Sequence, residues 1–395
     1  MKRIWLAVFT ATAVLFGTAT VSLAQGMMMG GSNPYGYPPQ AYMMMPAANP
    51  TGAISPVAYA AAGPGCVDGC TKPGCTAPGC TSPGGCSDPA LDEYLDGGGW
   101  NNCYFAYGGF MYLRARDSEV AYAVTANGPI TPGSSVVQRS DVGVVDQNYR
   151  PGFFVGIGKT LDECSSIGVQ YTNFESNATN SIATTPPFVI RSLVAHPSTF
   201  NAASDGLAAN ASQDIRFDLG DIDYRNLFAY DVDYKINYIV GVRFAQLKQA
   251  FDSQFQFNGT QSVNTNVNFY GAGVRLGLEG ERYARRGFMC YGKTHFSAIP
   301  GVVHANYTQT DAFGAQQVNT GYNAGRIATI ADLELGVGWR NQCDNIRLTV
   351  GYMFARWGNV MQTNQWINSV QHNSYINMNN NMTFDGLIAR FEARW

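Results

Sequence analysis

The sequence of 395 residues is poor in charge, because charged side chains make up only 13% of it. An average soluble chain carries nearly twice that share. There is no basic excess either, since 25 Lys and Arg residues stand against 28 Asp and Glu residues, for a net charge of −3. A nucleic-acid backbone is held by a basic surface, so nucleic acids are excluded as partners. After the N-terminal segment no run of about 18 apolar residues occurs, which excludes a transmembrane helix in the mature chain.

The N-terminus has the layout of a secretory signal peptide. Lys2 and Arg3 precede an apolar segment that ends near Phe16, and small residues follow as far as Ala24. The apolar segment is too short for a stable membrane-spanning helix. We therefore predict that residues 1–24 are a signal peptide and that the chain is exported through the general secretory route.

Residues 25–99 form a low-complexity leader of Met, Pro, Gly, Ala and Cys. Such a segment has many chain breaks and little periodic apolar surface, so it cannot offset its own ordering entropy and is predicted to be disordered. Within it the pattern Gly-Cys-Thr-x-Pro occurs three times over residues 69–83. Its cysteine spacing differs from the two-residue spacing of zinc sites, so disulfides or cross-links to neighbouring chains are favoured over free thiols or a metal site. The cysteines concerned are Cys66, Cys70, Cys75, Cys80 and Cys86.

From residue 100 onward apolar residues alternate with polar residues or glycine, which is typical of β-strands. A soluble sandwich and a membrane barrel both produce this alternation. The alternating runs are longer than the five or six residues of an average sandwich strand. Their polar faces carry Arg and Glu beside Gly, as a barrel lumen does. The sequence therefore predicts an all-β fold in residues 100–395, a transmembrane antiparallel β-barrel of the outer membrane.

The pattern predicts about ten strands, an even number that places both chain ends in the periplasm. The segment Val136 to Val145 is ambiguous, and an extra hairpin there would raise the number to twelve. Short connections are expected on the periplasmic side and long ones outside. The predicted strands are 102–116, 151–160, 166–176, 214–231, 235–251, 264–282, 287–298, 326–340, 345–358 and 382–395. The predicted long connections, rich in Asn, Gln, Ser and Thr, are 117–150, 177–213, 252–263, 299–325 and 359–381.

The last strand carries a candidate assembly signal. The chain ends on Trp395, and apolar residues alternate back through Phe391 to Leu387. Bacterial barrels are passed to the barrel-assembly machinery through a terminal strand of this kind. We therefore expect that machinery, and outer-membrane lipid, as partners of this chain.

The inward faces of the strands predict a charged lumen of ten cationic and six anionic residues. A net positive lining would favour anions. The alternative is that these charges pair across the lumen and hold the barrel closed. Eight strands leave an interior that side chains fill, whereas 16 to 18 form an open channel, so ten strands leave a narrow lumen. The predicted pore-lining residues are Arg114, Arg116, Asp221, Asp223, Arg225, Lys235, Arg243, Arg275, Glu279, Asp332, Glu334, Arg340, Arg347, Arg390, Glu392 and Arg394.

Four cysteines lie outside the leader, and the predicted topology places all of them near the periplasmic ends of strands. In each predicted pair the two cysteines are separated by a whole strand, so about 9.5 Å lies between them. A disulfide requires Cα atoms within about 7 Å. Intra-barrel bridges therefore need a turn cysteine that folds back across the rim, and the alternative is bonding to the leader or to another chain. The pairs are Cys103 with Cys164 and Cys290 with Cys343.

Five stretches of the chain resemble a known family: residues 103–114, 239–245, 270–279, 333–340 and 350–357. In order and spacing they are similar to the pore-forming outer-membrane proteins named for the Legionella major outer-membrane protein, a family abundant in planctomycete-type bacteria. The leader lies outside this resemblance. The resemblance implies an outer-membrane porin without catalytic residues.

The sequence offers no catalytic motif, and no enzyme activity, cofactor or metal is expected. Its four histidines lack a His-Glu-x-x-His pattern or a nucleophile elbow nearby. Two functions remain. The first is a porin for passive diffusion of small solutes or ions. The alternative is a structural or adhesive barrel with little conductance, cross-linked through its cysteine-rich leader. A homo-oligomer or disulfide-linked neighbours would fit either function.

Overall fold

The computed structural model describes residues 104–128, 137–162, 164–199, 206–256, 259–341 and 344–395. The predicted signal peptide and leader lie outside these residues. So do Cys66, Cys70, Cys75, Cys80, Cys86, Cys103 and Cys343.

The described residues form mainly β-strands, with one α-helix and one turn of 3-10 helix. No helix in this part of the chain is long and apolar enough to cross a membrane. The helix is α1 (Thr363–Gln371), and the 3-10 turn is Arg285–Gly287. The strands are β1 (Tyr104–Arg116), β2 (Val120–Ala126), β3 (Gln138–Val145), β4 (Arg150–Thr160), β5 (Ser165–Ala183), β6 (Val189–Ser192), β7 (Ala208–Asp231), β8 (Tyr234–Gln256), β9 (Thr260–Tyr283), β10 (Phe288–Thr310), β11 (Gln316–Arg340), β12 (Ile346–Val360) and β13 (Asn380–Arg394).

Ten of these strands close into an antiparallel barrel, which confirms the predicted fold class. Around the ring their order is β1, β13, β12, β11, β10, β9, β8, β7, β5 and β4. The other three, β2, β3 and β6, form a separate sheet. The ambiguous segment Val136 to Val145 thus contributes strand β3, but to this small sheet, so the barrel has ten strands and not twelve.

The first and last strands of the barrel meet in its wall. Strand β1 pairs with β13 on one side and with β4 on the other, which closes the ring. The amide of Tyr104 donates to the carbonyl of Trp395, and the amide of Trp395 donates back, each at 2.9 Å. A closed ring leaves no unpaired edge within the membrane.

On the longer strands the outward face is apolar in one half and polar in the other half, and the inward face shows the reverse pattern. In the periplasmic part of β9 the outward residues Val274, Leu276 and Leu278 are exposed and apolar. Earlier in the same strand, toward its outer end, Asn264, Asn266 and Asn268 point outward. The residues between and beside them, Val263, Val267 and Phe269, are buried inside the barrel. A membrane-spanning strand needs only about 9–11 residues, and β7 to β11 have 23 to 25. The apolar belt therefore lies in lipid, and the rest of each strand projects outside the membrane as a polar wall around an apolar core.

This exchange corrects two of the predicted loops. The segments 252–263 and 299–325 were expected to be long external connections, but β8, β9, β10 and β11 run through most of both. Their Asn, Gln, Ser and Thr residues are the solvated outer faces of strands. A prediction that equates polar segments with loops is wrong wherever a strand continues above the membrane.

The small sheet and α1 lie within the outer end of the barrel and fill it. Strand β3 packs against β5 and β7, and α1 contacts β8, β9 and β10. Trp366, Ile367 and Val370 of α1 are at most 2% exposed. They join one apolar cluster with side chains of the small sheet and the barrel wall.

We expect the folded protein to resist SDS at room temperature and to change its mobility on a gel after boiling. A closed hydrogen-bonded ring offers no free edge at which unfolding can begin. Electrophoresis of unheated and boiled samples checks this. The same mobility in both samples would contradict the closed barrel.

Replacing Trp395 with Asp is expected to block assembly and to leave the protein in the periplasm. Trp395 is exposed at the end of β13, beside the strand that closes the ring. Cell fractionation with immunoblotting measures the outer-membrane level. As control we propose Phe313→Asp, an aromatic residue that is 91% exposed at a hairpin tip. Normal outer-membrane levels of the Trp395 variant would contradict the assembly signal.

Candidate functional site in the barrel lumen

The structure places fourteen of the sixteen predicted pore-lining residues on inward faces and two on the outer face. Arg114 and Arg116 are the two wrong assignments. On β1 the odd-numbered residues Met111, Leu113 and Ala115 are at most 1% exposed and face the interior. Alternation along the strand therefore turns both arginines outward.

A buried group of charges around Arg243 occupies the middle of the lumen. Arg243 lies 2.7 Å from Asp221 and 2.6 Å from Asp332. Asp221 also accepts a hydrogen bond from Arg275 at 2.9 Å, and Arg275 contacts Asp223. Asp332 belongs to β11, three strands around the ring from β8, so the group bridges the lumen instead of lining it.

A second group, centred on Glu279, lies nearer the periplasm. Arg225 approaches Glu279 to 2.8 Å. Lys293 lies 4.0 Å from both Glu279 and Glu334, and Arg390 lies 3.9 Å from Glu334. These five residues come from five strands of the ring, so their attraction draws the walls together.

A third group, around Asp344, closes the periplasmic rim. Asp344 lies 2.6 Å from Arg347 and 3.2 Å from Arg394. Arg347 also reaches Glu281 at 3.1 Å, and Arg394 reaches Glu392 at 2.7 Å. Burial raises the pKa of Asp344, but the adjacent guanidinium groups outweigh it and hold that pKa well below its usual range. Asp344 therefore stays charged at neutral pH.

Sequence reasoning counted the outward Arg114 and Arg116 as inward and missed the anions Glu281 and Asp344, and so overestimated the positive balance. It also missed Lys293 and His295, which lie on the same inward face of β10 as the buried Met289 and Tyr291. The same parity rule would have found Glu281. In the described periplasmic half the cations are Arg225, Lys235, Arg243, Arg275, Lys293, Arg340, Arg347, Arg390 and Arg394, and the anions are Asp221, Asp223, Glu279, Glu281, Asp332, Glu334, Asp344 and Glu392. Nine cations against eight anions leave no basis for anion selectivity.

A layer of aromatic rings fills the lumen above the charges. Phe217 of β7 and Trp357 of β12 stand five strands apart in the ring of ten, on opposite walls. Their ring centroids are nevertheless only 5.8 Å apart. Phe384 lies 4.9 Å from Phe217 and 5.8 Å from Phe174. All four rings are at most 2% exposed, so the walls touch through them and exclude water.

Two inward glycines let other rings lie flat against the lumen wall. A Cβ atom on Gly156 would come within 2.3 Å of the Tyr107 ring. A Cβ atom on Gly158 would come within 2.1 Å of the Phe105 ring. Both distances are too short for any side chain, so glycine is required at these positions of β4.

Above the aromatic layer, α1 and the small sheet are hydrogen-bonded to the barrel and to each other. Gln249 on β8 donates to the carbonyl of Met361 at 2.8 Å. Gln371 at the end of α1 donates to the carbonyls of Leu193 and Ala195 at 2.8 and 2.9 Å. Tyr307 on β10 donates to the carbonyl of Val194 at 2.8 Å. The outer half of the lumen is therefore closed by the chain itself.

A small cavity remains in the periplasmic half. Its volume is about 20 Å³, enough for roughly one water molecule. Lys293, Arg347 and Arg390 line it together with Glu281 and Glu392. It ends below the aromatic layer.

The two described cysteines differ in state. Cys164, in the periplasmic turn between β4 and β5, is disulfide-bonded, and its partner lies outside the described residues. Cys290 is an exposed free thiol, so the structure gives no support for a bridge at that position. Beside Cys164, hydrogen bonds from the Ser165 hydroxyl and from backbone amides lower the pKa of Asp162.

Comparison with known proteins identifies the family. The sequence profile described as "Legionella pneumophila major outer membrane protein precursor" matches residues 104–394, which is nearly the whole described barrel. The chain belongs to this family. It is a β-barrel of the bacterial outer membrane, as the sequence predicted.

Among solved structures the similar proteins are outer-membrane barrels of low identity. The outer membrane protease OmpT of Escherichia coli is 11% identical, with a TM-score of 0.42, over 74% of this chain and 97% of that chain. The P. putida toluene transporter TodX is 7% identical, with a TM-score of 0.33, over 75% and 91%. A Pseudomonas aeruginosa FadL homologue is 7% identical, with a TM-score of 0.22, over 74% and 90%. No curated protein matches the chain.

We expect Arg243→Met to lower the free energy of unfolding by about 3–5 kcal/mol, because it leaves Asp332 without its ion-pair partner and Asp221 with Arg275 alone. Urea unfolding in detergent micelles measures this loss. Arg216→Met is the matched control, since Arg216 pairs with Asp218 on the exposed outer face and an exposed pair contributes at most about 1 kcal/mol. Equal losses in the two variants would show that the lumen group does not hold the walls together.

Proposed function

We propose that the protein is a structural barrel of the outer membrane, with a lumen that is closed in the folded state and a rigid polar surface outside the cell. The contact between Phe217 and Trp357 across the ring supports this best, because open channels have walls that do not touch. The charge groups below these rings and α1 above them add two further barriers in series.

The projecting strands, together with the small sheet and α1 that fill the outer end of the barrel, suit a role at the cell surface. The strands that project beyond the apolar belt carry polar side chains outward and an apolar core within. A polar wall of paired strands is a stable support for contact with other surfaces. The absence of a catalytic motif in the sequence makes enzyme activity no part of this proposal.

The periplasmic side offers the means of attachment. The disulfide at Cys164 lies in a turn at the end of the barrel where strand β1 starts. We propose that the cysteine-rich leader links the barrel to neighbours on this side, as the sequence suggested. The family's namesake is, by its description, a major outer membrane protein, and a structural role fits a major component of that membrane.

A porin is the second candidate, which the family resemblance implies and the charged periplasmic half of the lumen favours. Conduction would require α1 to leave the outer mouth and the four aromatic rings to separate. Both changes break buried apolar contacts, so a porin of this fold would spend most of its time closed.

Single-channel recording in planar bilayers distinguishes the two functions. We expect wild-type protein, shown to be folded by its heat-dependent gel mobility, to give no steady conductance steps. Protein denatured before reconstitution is the control for leak through damaged bilayers. Reproducible steps from the folded protein alone would contradict the closed barrel and establish the porin.

A further inference from the structure

Three arginines cluster on the outer face of the barrel wall, and neither the lumen nor its closure uses them. They are Arg114 and Arg116 on β1 and Arg356 on β12, referred to below as the arginine patch. Strands β12, β13 and β1 are consecutive in the ring, so the patch is continuous across the seam where the first and last strands of the barrel meet.

The strand register brings two of these arginines to the same level. Arg116 and Arg356 both pair with Thr383 of β13, one from each side. Two strand spacings separate them, about 9.5 Å between Cα atoms. Thr383 between them is only 8% exposed although it stands on the outer face. The long arginine side chains on both sides account for the low exposure of Thr383.

Acidic and aromatic side chains fix part of the patch. Arg114 lies 2.6 Å from Asp146, and Arg116 contacts Asp385 and the hydroxyl of Tyr149. In the part of the chain that the structure describes, Arg356 has no hydrogen-bond or ion-pair partner. Three guanidinium groups against two carboxylates leave the patch with a net charge of +1.

The patch lies at the upper border of the apolar belt. On its periplasmic side Tyr112 of β1 and Tyr352 of β12 both pair with Leu387 of β13, and all three side chains are exposed on the apolar belt. The Tyr352 hydroxyl reaches up to Asp385, and the Tyr112 ring stacks on Tyr149 at 5.7 Å. Tyrosines with an apolar ring and a polar tip collect at the membrane–water interface. This is the level of the lipid headgroups in the outer leaflet.

The opposite wall has the reverse charge at the corresponding level. On β7 and β8, which lie five strands around the ring from β12 and β13, the outward charges are the cations Arg216 and Lys248 and the anions Asp214, Asp218 and Asp252. Arg216 is held by Asp218 on its own strand at 3.0 Å. Of these two walls, as far as the structure describes them, the seam side is the one that presents a cationic surface to the headgroup layer.

We propose that the arginine patch binds the phosphate group of an outer-leaflet lipid, whose acyl chains lie on the apolar belt beside Tyr112, Tyr352 and Leu387. Arginine matches phosphate because its planar guanidinium donates two parallel hydrogen bonds. A lipid fits better than a free phosphate ion because the patch continues directly into lipid-exposed apolar surface. A lipid held there would also cover the seam between β1 and β13.

Binding of phosphatidic acid, a lipid with a phosphomonoester headgroup, tests the proposal. Native mass spectrometry of the full-length folded protein in mixed micelles measures the bound lipid, with phosphatidylcholine as the neutral comparison. We expect phosphatidic acid to bind more tightly, and the double variant Arg116→Gln, Arg356→Gln to bind it about 25-fold more weakly, at roughly fivefold per arginine. Heat-dependent gel mobility confirms that each variant is folded.

The matched control removes the same amount of charge from the opposite wall through Arg216→Gln and Lys248→Gln. We expect this variant to bind phosphatidic acid as the wild type does. Equal loss in both double variants would overturn the proposal in favour of general charge attraction. Equal binding of the two lipids would also overturn it, as would displacement of phosphatidic acid by inorganic phosphate at equal concentration, which would indicate a free-anion site. If Arg116→Gln prevents folding, Arg356→Gln alone is tested, with an expected fivefold loss and Lys248→Gln as its control.

Discussion

The contact of Phe217 with Trp357 across the barrel is the constraint on which the rest of the structure depends. A ring of ten strands is only slightly wider than one of eight, whose interior side chains fill. Inward side chains of aromatic size therefore meet at the centre, and the lumen becomes a packed core. The glycines opposite Tyr107 and Phe105 on β4 have the same origin, since large and small residues must alternate in so narrow a space.

Burying charges in this interior is costly unless each charge has a partner. Taking an ion out of water costs several kcal/mol, which only close and well-oriented partners offset. The periplasmic half meets this requirement with pairs that join strands far apart in the ring, such as Arg243 with Asp332 and Arg347 with Glu281. The outer half instead uses one apolar cluster, with uncharged hydrogen bonds such as that of Gln249 to the carbonyl of Met361. Both halves close the lumen, by different means.

The sequence predicted the ten strands and the outer-membrane location because both follow from local alternation, and it indicated the family through the order and spacing of five stretches. It could not predict where polarity exchanges along a strand, because Asn264 to Asn268 have the same composition in an external loop as on a solvated strand face. It misplaced Arg114 and Arg116 because residue type outweighed parity, whereas the buried Ala115 between them decides their direction. The meeting of Phe217 and Trp357 depends on ring closure between residues 140 positions apart, which no local pattern contains.

The aromatic layer can be observed directly in solution. Nuclear Overhauser spectroscopy of the folded protein in detergent micelles, with selectively labelled Trp and Phe, reports whether the ring protons of Trp357 lie near those of Phe217 and Phe384. A closed lumen predicts cross-peaks from Trp357 to both phenylalanines and none from Trp357 to water. Cross-peaks to water, without any to Phe217, would show that the opposite walls stand apart and would contradict the closed barrel.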